Sequence, residues 1–228
     1  MSFPIVPMDK PVRILIADDH PIFREGLRTL LGAEPGFKVI GEASDGQEAL
    51  KLASQLKPDI LLLDLAMPQM PGMETLRELA GTATPVRTIL LTAAIESRQI
   101  LEALQLGARA VVLKDSATQV LMKSIRAVMA GQLWVGREQV SDLVQTLRSL
   151  LPATTQQAQP VTYGLTPREL DIVSAIVAGN TNKDIAQQYS ISEATVKHHL
   201  TSIFDKLGVS NRLELALFAL NKNLVAKS

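Results

Sequence analysis

The stretch DILLLDLAMPQMPG (59–72) sets four branched aliphatic residues between two aspartates, then breaks on two prolines and a glycine. A short apolar run bounded by turn residues reads as a strand buried on both faces. Four more such runs occur: VRILIA (12–17), FKVIGEA (37–43), RTILLT (87–92) and AVVL (110–113). Between them Pro21–Leu31, Gln47–Leu56, Met73–Ala80, Arg98–Leu106 and Ala117–Ala130 space Leu, Ile, Ala and Met as helices do. Strands alternating with helices give five β-α units. The fold class is therefore α/β, a doubly wound, five-stranded parallel sheet covered on both faces.

Composition limits the rest. A chain of 228 residues fits one large domain or two small ones. With 46% hydrophobic and 20% charged residues, it has ample material for a core, which excludes long disordered or collagen-like readings. Cysteine is absent, so a disulfide scaffold, a thiolate metal site and a Cys nucleophile are excluded. No run approaches the ~18 consecutive apolar residues of a membrane span. Met1 to Lys10 holds two prolines and no apolar core of a secretory signal. The expected location is the cytoplasm, with no membrane partner. Lys and Arg number 23, as do Asp and Glu, and splitting the chain at residue 140 leaves −1 before it and +1 after. That balance argues against a strongly basic nucleic-acid binder.

The segment LPATTQQAQPVTYG, between Leu150 and Leu165, has no hydrophobic period and reads as a linker. Beyond it the strand pattern disappears and four helices follow. Thr166, Pro167 and Glu169 have the form of a capping box with proline in the first turn, and that helix stops at Ala178-Gly179. Asn182 is expected to cap a short helix, Lys183–Tyr189. Ser192 caps Glu193–Leu207, which ends at Gly208, and Asn211 with Glu214 caps the last helix to about Asn221. A short helix, the break Ser190-Ile191-Ser192 and a longer helix make a helix-turn-helix. On the longer helix Val196, Leu200, Ile203, Phe204 and Leu207 form the stripe expected to be buried. Lys197, His198, Thr201 and Lys206 fall on other faces. His198-His199 is a poor zinc site, because adjacent residues diverge on a helix and no third ligand follows.

Ligands of open parallel sheets bind at the carboxyl ends of the strands. The first strand ends in Asp18-Asp19, the third in Asp64, the fourth in Thr92 and the fifth in Lys114. Three carboxylates in one cleft repel, so they need a cation or they take up protons. Hard oxygen ligands suit Mg²⁺, and with the metal neutralising charge one Asp could take a phosphoryl group in line. Each residue alone has a plainer reading. Asp18 or Asp19 could favour the start of the helix at Pro21, Thr92 could be an ordinary β-branched strand residue, and Lys114 a solvated strand end.

The residues DDH (18–20), LLLDLAMPQMPG (61–72), LLTA (90–93) and GARAVVLKD (107–115) resemble the receiver domain of two-component response regulators. LTPRE, NKDIA and TVKHHLTSIFDKLGVSNR resemble the LuxR-type DNA-binding domain, so the whole chain is similar to NarL/FixJ-type response regulators. The resemblance implies a flavodoxin-like receiver with strand order 2-1-3-4-5 over 11–131, a partly helical linker over 132–164, and a four-helix helix-turn-helix domain over 165–228. It implies Asp64 as phospho-acceptor. Asp19, Asp64 and the Ala66 carbonyl would ligate Mg²⁺ directly and Asp18 through water, with Thr92 as switch hydroxyl and Lys114 as phosphate partner. Lys197, His198 and Thr201 would face base edges, with Thr181, Asn182, Lys183, Thr195, His199 and Lys206 at phosphates. The implied partners are a sensor histidine kinase, double-stranded DNA and a second copy of the chain, which dimerises through the last helix.

Two positions depart from the family pattern. Val111 stands where receivers carry Tyr or Phe, and Thr201 where relatives often carry Lys or Arg. Val111 motivates a rival reading, a pseudo-receiver that binds DNA constitutively. An aspartyl-phosphate phosphatase would need a second acid at position 66, which is Ala66. A flavin binder would need a phosphate-cradling loop where DDHP stands.

Overall fold

The computed structural model describes residues 10–82, 86–116, 118–136, 140, 142–146, 163–222 and 224. Most of the linker and the N-terminal nine residues thus lie outside the described residues. The rest falls into two compact units, one built on the sheet and closing at Trp134, the other containing the C-terminal helices.

Up to Trp134, β1 (Val12–Ala17), β2 (Phe37–Ala43), β3 (Ile60–Asp64), β4 (Arg87–Thr92) and β5 (Ala108–Leu113) alternate with α1 (Pro21–Gly32), α2 (Gly46–Leu56), α3 (Gly72–Ala80), α4 (Ser97–Gln105) and α5 (Thr118–Met129). All pairings are parallel, in the order β2-β1-β3-β4-β5. That is the expected topology. Its central strands are the most apolar: Ile14–Ala17 and Ile60–Leu63 are fully buried. Ile14, Ile16, Ile60, Leu62, Ile89 and Leu91 pack with Leu27 and Leu31 of α1 and Ile125 of α5 in one cluster. Alternation along each strand sends Leu15, Leu61, Leu63 and Leu90 to the opposite face. Edge strand β2 is only half buried, so its pattern is mixed.

Two details differ from the sequence reading. Strand β5 starts at Ala108 rather than Ala110, because Gly107 turns the chain at φ 100° and Ala108 pairs with Thr88. Arg109, between Ala108 and Ala110, is an exposed residue of this edge strand. The second difference lies beyond α5. Trp134 donates its backbone N–H to the Arg109 carbonyl and accepts from Val111, both at 2.9 Å, and so seals part of the β5 edge. Residues 132–134, expected in the linker, therefore finish the first unit. The helical part of that linker is present at 142–146.

Gly72 opens α3 directly beneath the third strand. A Cβ there would stand 2.2 Å from the Asp64 carbonyl oxygen and 2.8 Å from Leu65 Cα, both backbone atoms that cannot step aside. Gly72→Ala is expected to destabilise the protein by about 1–3 kcal/mol through overpacking. An unchanged urea midpoint for the unit's transition would show that the loop after β3 yields more easily than its packing implies.

The second unit comprises α6 (Pro167–Val177), α7 (Asn182–Gln188), α8 (Glu193–Leu207) and α9 (Arg212–Asn221). Thr166 and Glu169 form the full reciprocal capping box at α6. The cap of α7 is Thr181 rather than Asn182: its hydroxyl accepts from Asp184 N–H while the Asp184 carboxylate accepts from Thr181 N–H. Thr181, with Asp184 three residues on, completes the box. Helix α7 ends at Gln188, so the turn before α8 starts at Tyr189, with Ser190 in the left-handed region at φ 53°. Val196, Leu200 and Ile203 of α8 are buried, whereas Phe204 and Leu207 are only partly so. Gly208 closes α8 at φ 67° as a left-handed cap.

Candidate functional site

The carboxyl ends of β1, β3, β4 and β5 gather the five residues read from the sequence. Asp18 is fully buried, Asp64 is 1% exposed, and the Lys114 ammonium lies 2.8 Å from Oδ2 of each. Lys114 donates a hydrogen bond to Asp64. Burial by itself pulls the lysine pKa down, but hydrogen bonds to Asp18 and Asp64 and their charges outweigh it, so it stands above the ordinary lysine range. The Phe23 ring of α1 lies 4.8 Å from the same ammonium. One cation thus holds two carboxylates that would otherwise repel. Asp64 Oδ1 accepts from Ala66 N–H at 3.3 Å, and the Thr92 hydroxyl donates to the Ala94 carbonyl at 2.7 Å.

Asp18 serves two ends at once. Its Oδ1 accepts the backbone N–H of His20, the residue that precedes Pro21 at the start of α1, while its Oδ2 faces the Lys114 ammonium. Asp19 Oδ1 lies 2.7 Å from His20 Nδ1. Asp18, Asp19, His20 and Asp64 place one ligand atom each within 4.8 Å of one another. Asp18 Oδ2 and Asp19 Oδ1 are buried, and apart from the close Lys114 ammonium and His20 ring neither has a hydrogen-bond partner among the described residues. Crowded, incompletely satisfied oxygens with hard donors fit a small divalent cation.

In the second unit α8 carries Lys197, His198 and Thr201 exposed, roughly opposite its buried stripe. Thr195 shares its hydroxyl with Ser192 at 2.8 Å, and His199 is half-buried. At the start of α7, Thr181 and Lys183 are exposed, while Asn182 accepts from Arg212 at 3.2 Å. Arg212 also donates to the Asn180 carbonyl, and burial brings its pKa down to about 10 against the opposing charge of Asp184. Lys206 goes elsewhere than the sequence suggested. Its ammonium meets Glu169 Oε2 at 2.7 Å, because that carboxylate is 4% exposed and requires a counter-charge.

Residues 14–126 match the response regulator receiver domain family, and residues 164–219 match the bacterial regulatory proteins of the luxR family. The chain is 36% identical over 214 residues to the transcriptional regulatory protein LiaR of Bacillus subtilis (strain 168), covering 94% of this chain and 99% of the relative. The chain belongs to the NarL/LiaR-type response regulators. Similarity to the nitrate/nitrite response regulator protein NarL of Escherichia coli (strain K12) is 35% over 209 residues, spanning 92% of this chain and 95% of that one. A two-component response regulator of the LuxR family from Aurantimonas sp. SI85-9A1 superposes with a TM-score of 0.58 at 32% identity, over 61% of this chain and 99% of that one.

Members of this family are transcription regulators controlled by phosphorylation, with DNA-binding domains, and not turnover enzymes. In this response regulator the pocket contains two side chains that the sequence reading left without a role, His20 and Phe23. His20 follows Asp18-Asp19 directly, and that adjacency was the available signal. Phe23 carried none, since its place near Lys114 depends on how α1 packs on the sheet. Glu169 was legible as a cap residue, but its contact with Lys206 spans 37 positions and had no local mark. Among the described residues no helix is long and apolar enough to cross a membrane.

Proposed function

We propose that Asp64 is the phospho-acceptor of this response regulator and that Lys197, His198 and Thr201 read DNA bases. The observation that carries the first half is the Lys114 ammonium, 2.8 Å from both Asp18 and the almost fully buried Asp64. A carboxylate oxygen of Asp64 attacks the phosphorus of a phosphohistidine on a sensor kinase. The P–N bond breaks, the phosphoryl group stays on Asp64, and the freed imidazole takes up a proton. Asp18, Asp19, Asp64 and the Ala66 carbonyl would hold Mg²⁺, which when bound neutralises charge on the phosphoryl oxygens. Lys114 supplies a further positive charge. The Thr92 hydroxyl exchanges the Ala94 carbonyl for a phosphoryl oxygen. The modification replaces a carboxylate of charge −1 by an acyl phosphate of about −1.5 to −2, a net gain of up to about one negative charge together with three new acceptor oxygens at one sheet edge, enough to bias a local rearrangement.

The second half rests on the exposed face of α8. Thr181, Asn182, Lys183, Thr195 and His199 flank that face at DNA phosphates, while Lys206 serves as the internal partner of Glu169. Domains run 11–131 and 165–228, with 132–134 completing the first. The cytoplasm is the compartment where kinase and DNA meet. A C-terminal half at +1 binds DNA weakly as a monomer, with a shallow salt slope. Dimerisation through α9 then supplies the affinity, and two recognition helices about one helical turn apart require a pseudo-palindromic site. The test is a mobility-shift titration of the full chain with and without a small phosphodonor plus Mg²⁺. The shift midpoint is expected to fall about tenfold or more with the donor. Equal midpoints in the two arms would sink the phosphorylation switch.

A further inference from the structure

We infer that Thr201 is a specificity-determining residue that selects an A·T base pair, through contact of its methyl group with the thymine C5-methyl. This rests on the proposed reading of α8 as the DNA-recognition helix. At about 100° per residue, Lys197 and Thr201 lie one turn apart on the same side, and both are exposed. The Thr201 hydroxyl donates to the Lys197 carbonyl at 3.1 Å, the bond that Ser and Thr make to the carbonyl four residues back. That bond uses the only hydrogen the hydroxyl has and holds the side-chain torsion.

The side chain then offers no donor. It cannot donate to guanine O6 or N7, which is how a Lys or Arg at a base edge recognises a G·C pair. What remains is a methyl group and oxygen lone pairs. In the major groove an A·T pair presents a thymine methyl and the adenine N6 amino group, so both remaining features of Thr201 find a complement on one base pair. A C·G pair offers an amino donor but no methyl. Ala194, seven residues before Thr201 and exposed on the same side, is small enough to let the helix approach closely. Lys197, four residues before, keeps the donor chemistry that Thr201 lacks. The face therefore combines a donor-only residue with an apolar one, which predicts a half-site with G·C and A·T pairs at different positions.

The experiment starts with the full chain, phosphodonor and Mg²⁺, and a random duplex library from which bound sequences are selected. Each thymine of the enriched half-site is then replaced by uracil, which removes only the C5-methyl, and affinity is read by fluorescence anisotropy. At one thymine per half-site wild-type affinity is expected to drop about fourfold, the effect of burying a single methyl group. Thr201→Ser keeps the hydroxyl and loses the methyl, so it is expected to be insensitive to that replacement. Thr201→Val keeps the methyl and is expected to stay sensitive. Uracil replacement without effect at every position, or a Thr201→Ser variant as sensitive as wild type, overturns the assignment while leaving DNA recognition by α8 standing. Failure to enrich any sequence instead overturns the DNA-binding reading itself.

Discussion

Asp64→Asn is expected to reduce acyl-phosphate formation from a small phosphodonor below detection, read as loss of the phosphoryl mass increment on the intact chain. An amide at the end of β3 has no anionic oxygen to attack phosphorus. It also removes one of three crowded carboxylates, so the metal would be held by fewer charges. Folding should survive, because Lys114 keeps Asp18 as a partner 2.8 Å away and like-charge repulsion falls. The thermal midpoint is therefore expected at or above that of wild type, which separates a chemical defect from a folding defect. DNA affinities with and without phosphodonor should become equal in the variant. Val111 makes this a sharp test. It is 1% exposed, and its backbone N–H is tied to Trp134. If Asp64→Asn left dimerisation and promoter binding unchanged under inducing conditions, the constitutive pseudo-receiver would be the better description.

Glu169→Ala is expected to destabilise the second unit by about 3 kcal/mol. The carboxylate accepts from Thr166 N–H and its hydroxyl, from Ser202 and from Lys206, so truncation leaves four donors to find other partners. Burial by itself pushes this carboxyl up, but Lys206, Thr166 and Ser202 outweigh it and bring the pKa from 4.5 to about 2. The folded state thus holds its proton more weakly than the unfolded chain. The stabilisation is complete above pH 4.5, and it is lost progressively as pH falls toward 2. A shift of that size corresponds to roughly 3 kcal/mol, in line with the truncation estimate. Amide exchange of α8 in the full chain reads this unit alone. Between pH 5 and pH 3 protection should fall by more in wild type than in Glu169→Gln. Parallel pH dependence in the two proteins would mean that Glu169 is not what holds α6 to α8.

The acid pocket was legible in unusual detail for a physical reason. A parallel sheet puts every strand's carboxyl end on one edge, so residues at the ends of separate runs must converge. Asp18, Asp19, Asp64, Thr92 and Lys114 are all of that kind. Residues brought in by helices had no such marker. Phe23 reaches Lys114 only through the packing of α1, and Trp134 reaches β5 only because the chain turns back after α5. In the helical unit the same divide holds. Caps at Thr166, Ser192 and Asn211 are local and were readable. The cap of α7 was placed one residue late, since Thr181 and Asn182 are both good cap residues and only the carboxylate of Asp184 decides between them.

Sequence alone determined two domains, a five-stranded parallel sheet, a helix-turn-helix, and the residues at the strand ends, because hydrophobic period, turn residues and caps are local properties. It also showed that zero net charge was poor evidence against a DNA-binding role, since the acids that balance the bases include Asp18, Asp19 and Asp64, which cluster at the sheet edge. Tertiary structure decided which charge answers which. Lys114 sits between Asp18 and Asp64, and Lys206 pairs with Glu169. Those choices depend on burial, which raises the cost of an unanswered carboxylate, and burial exists only once distant segments have packed.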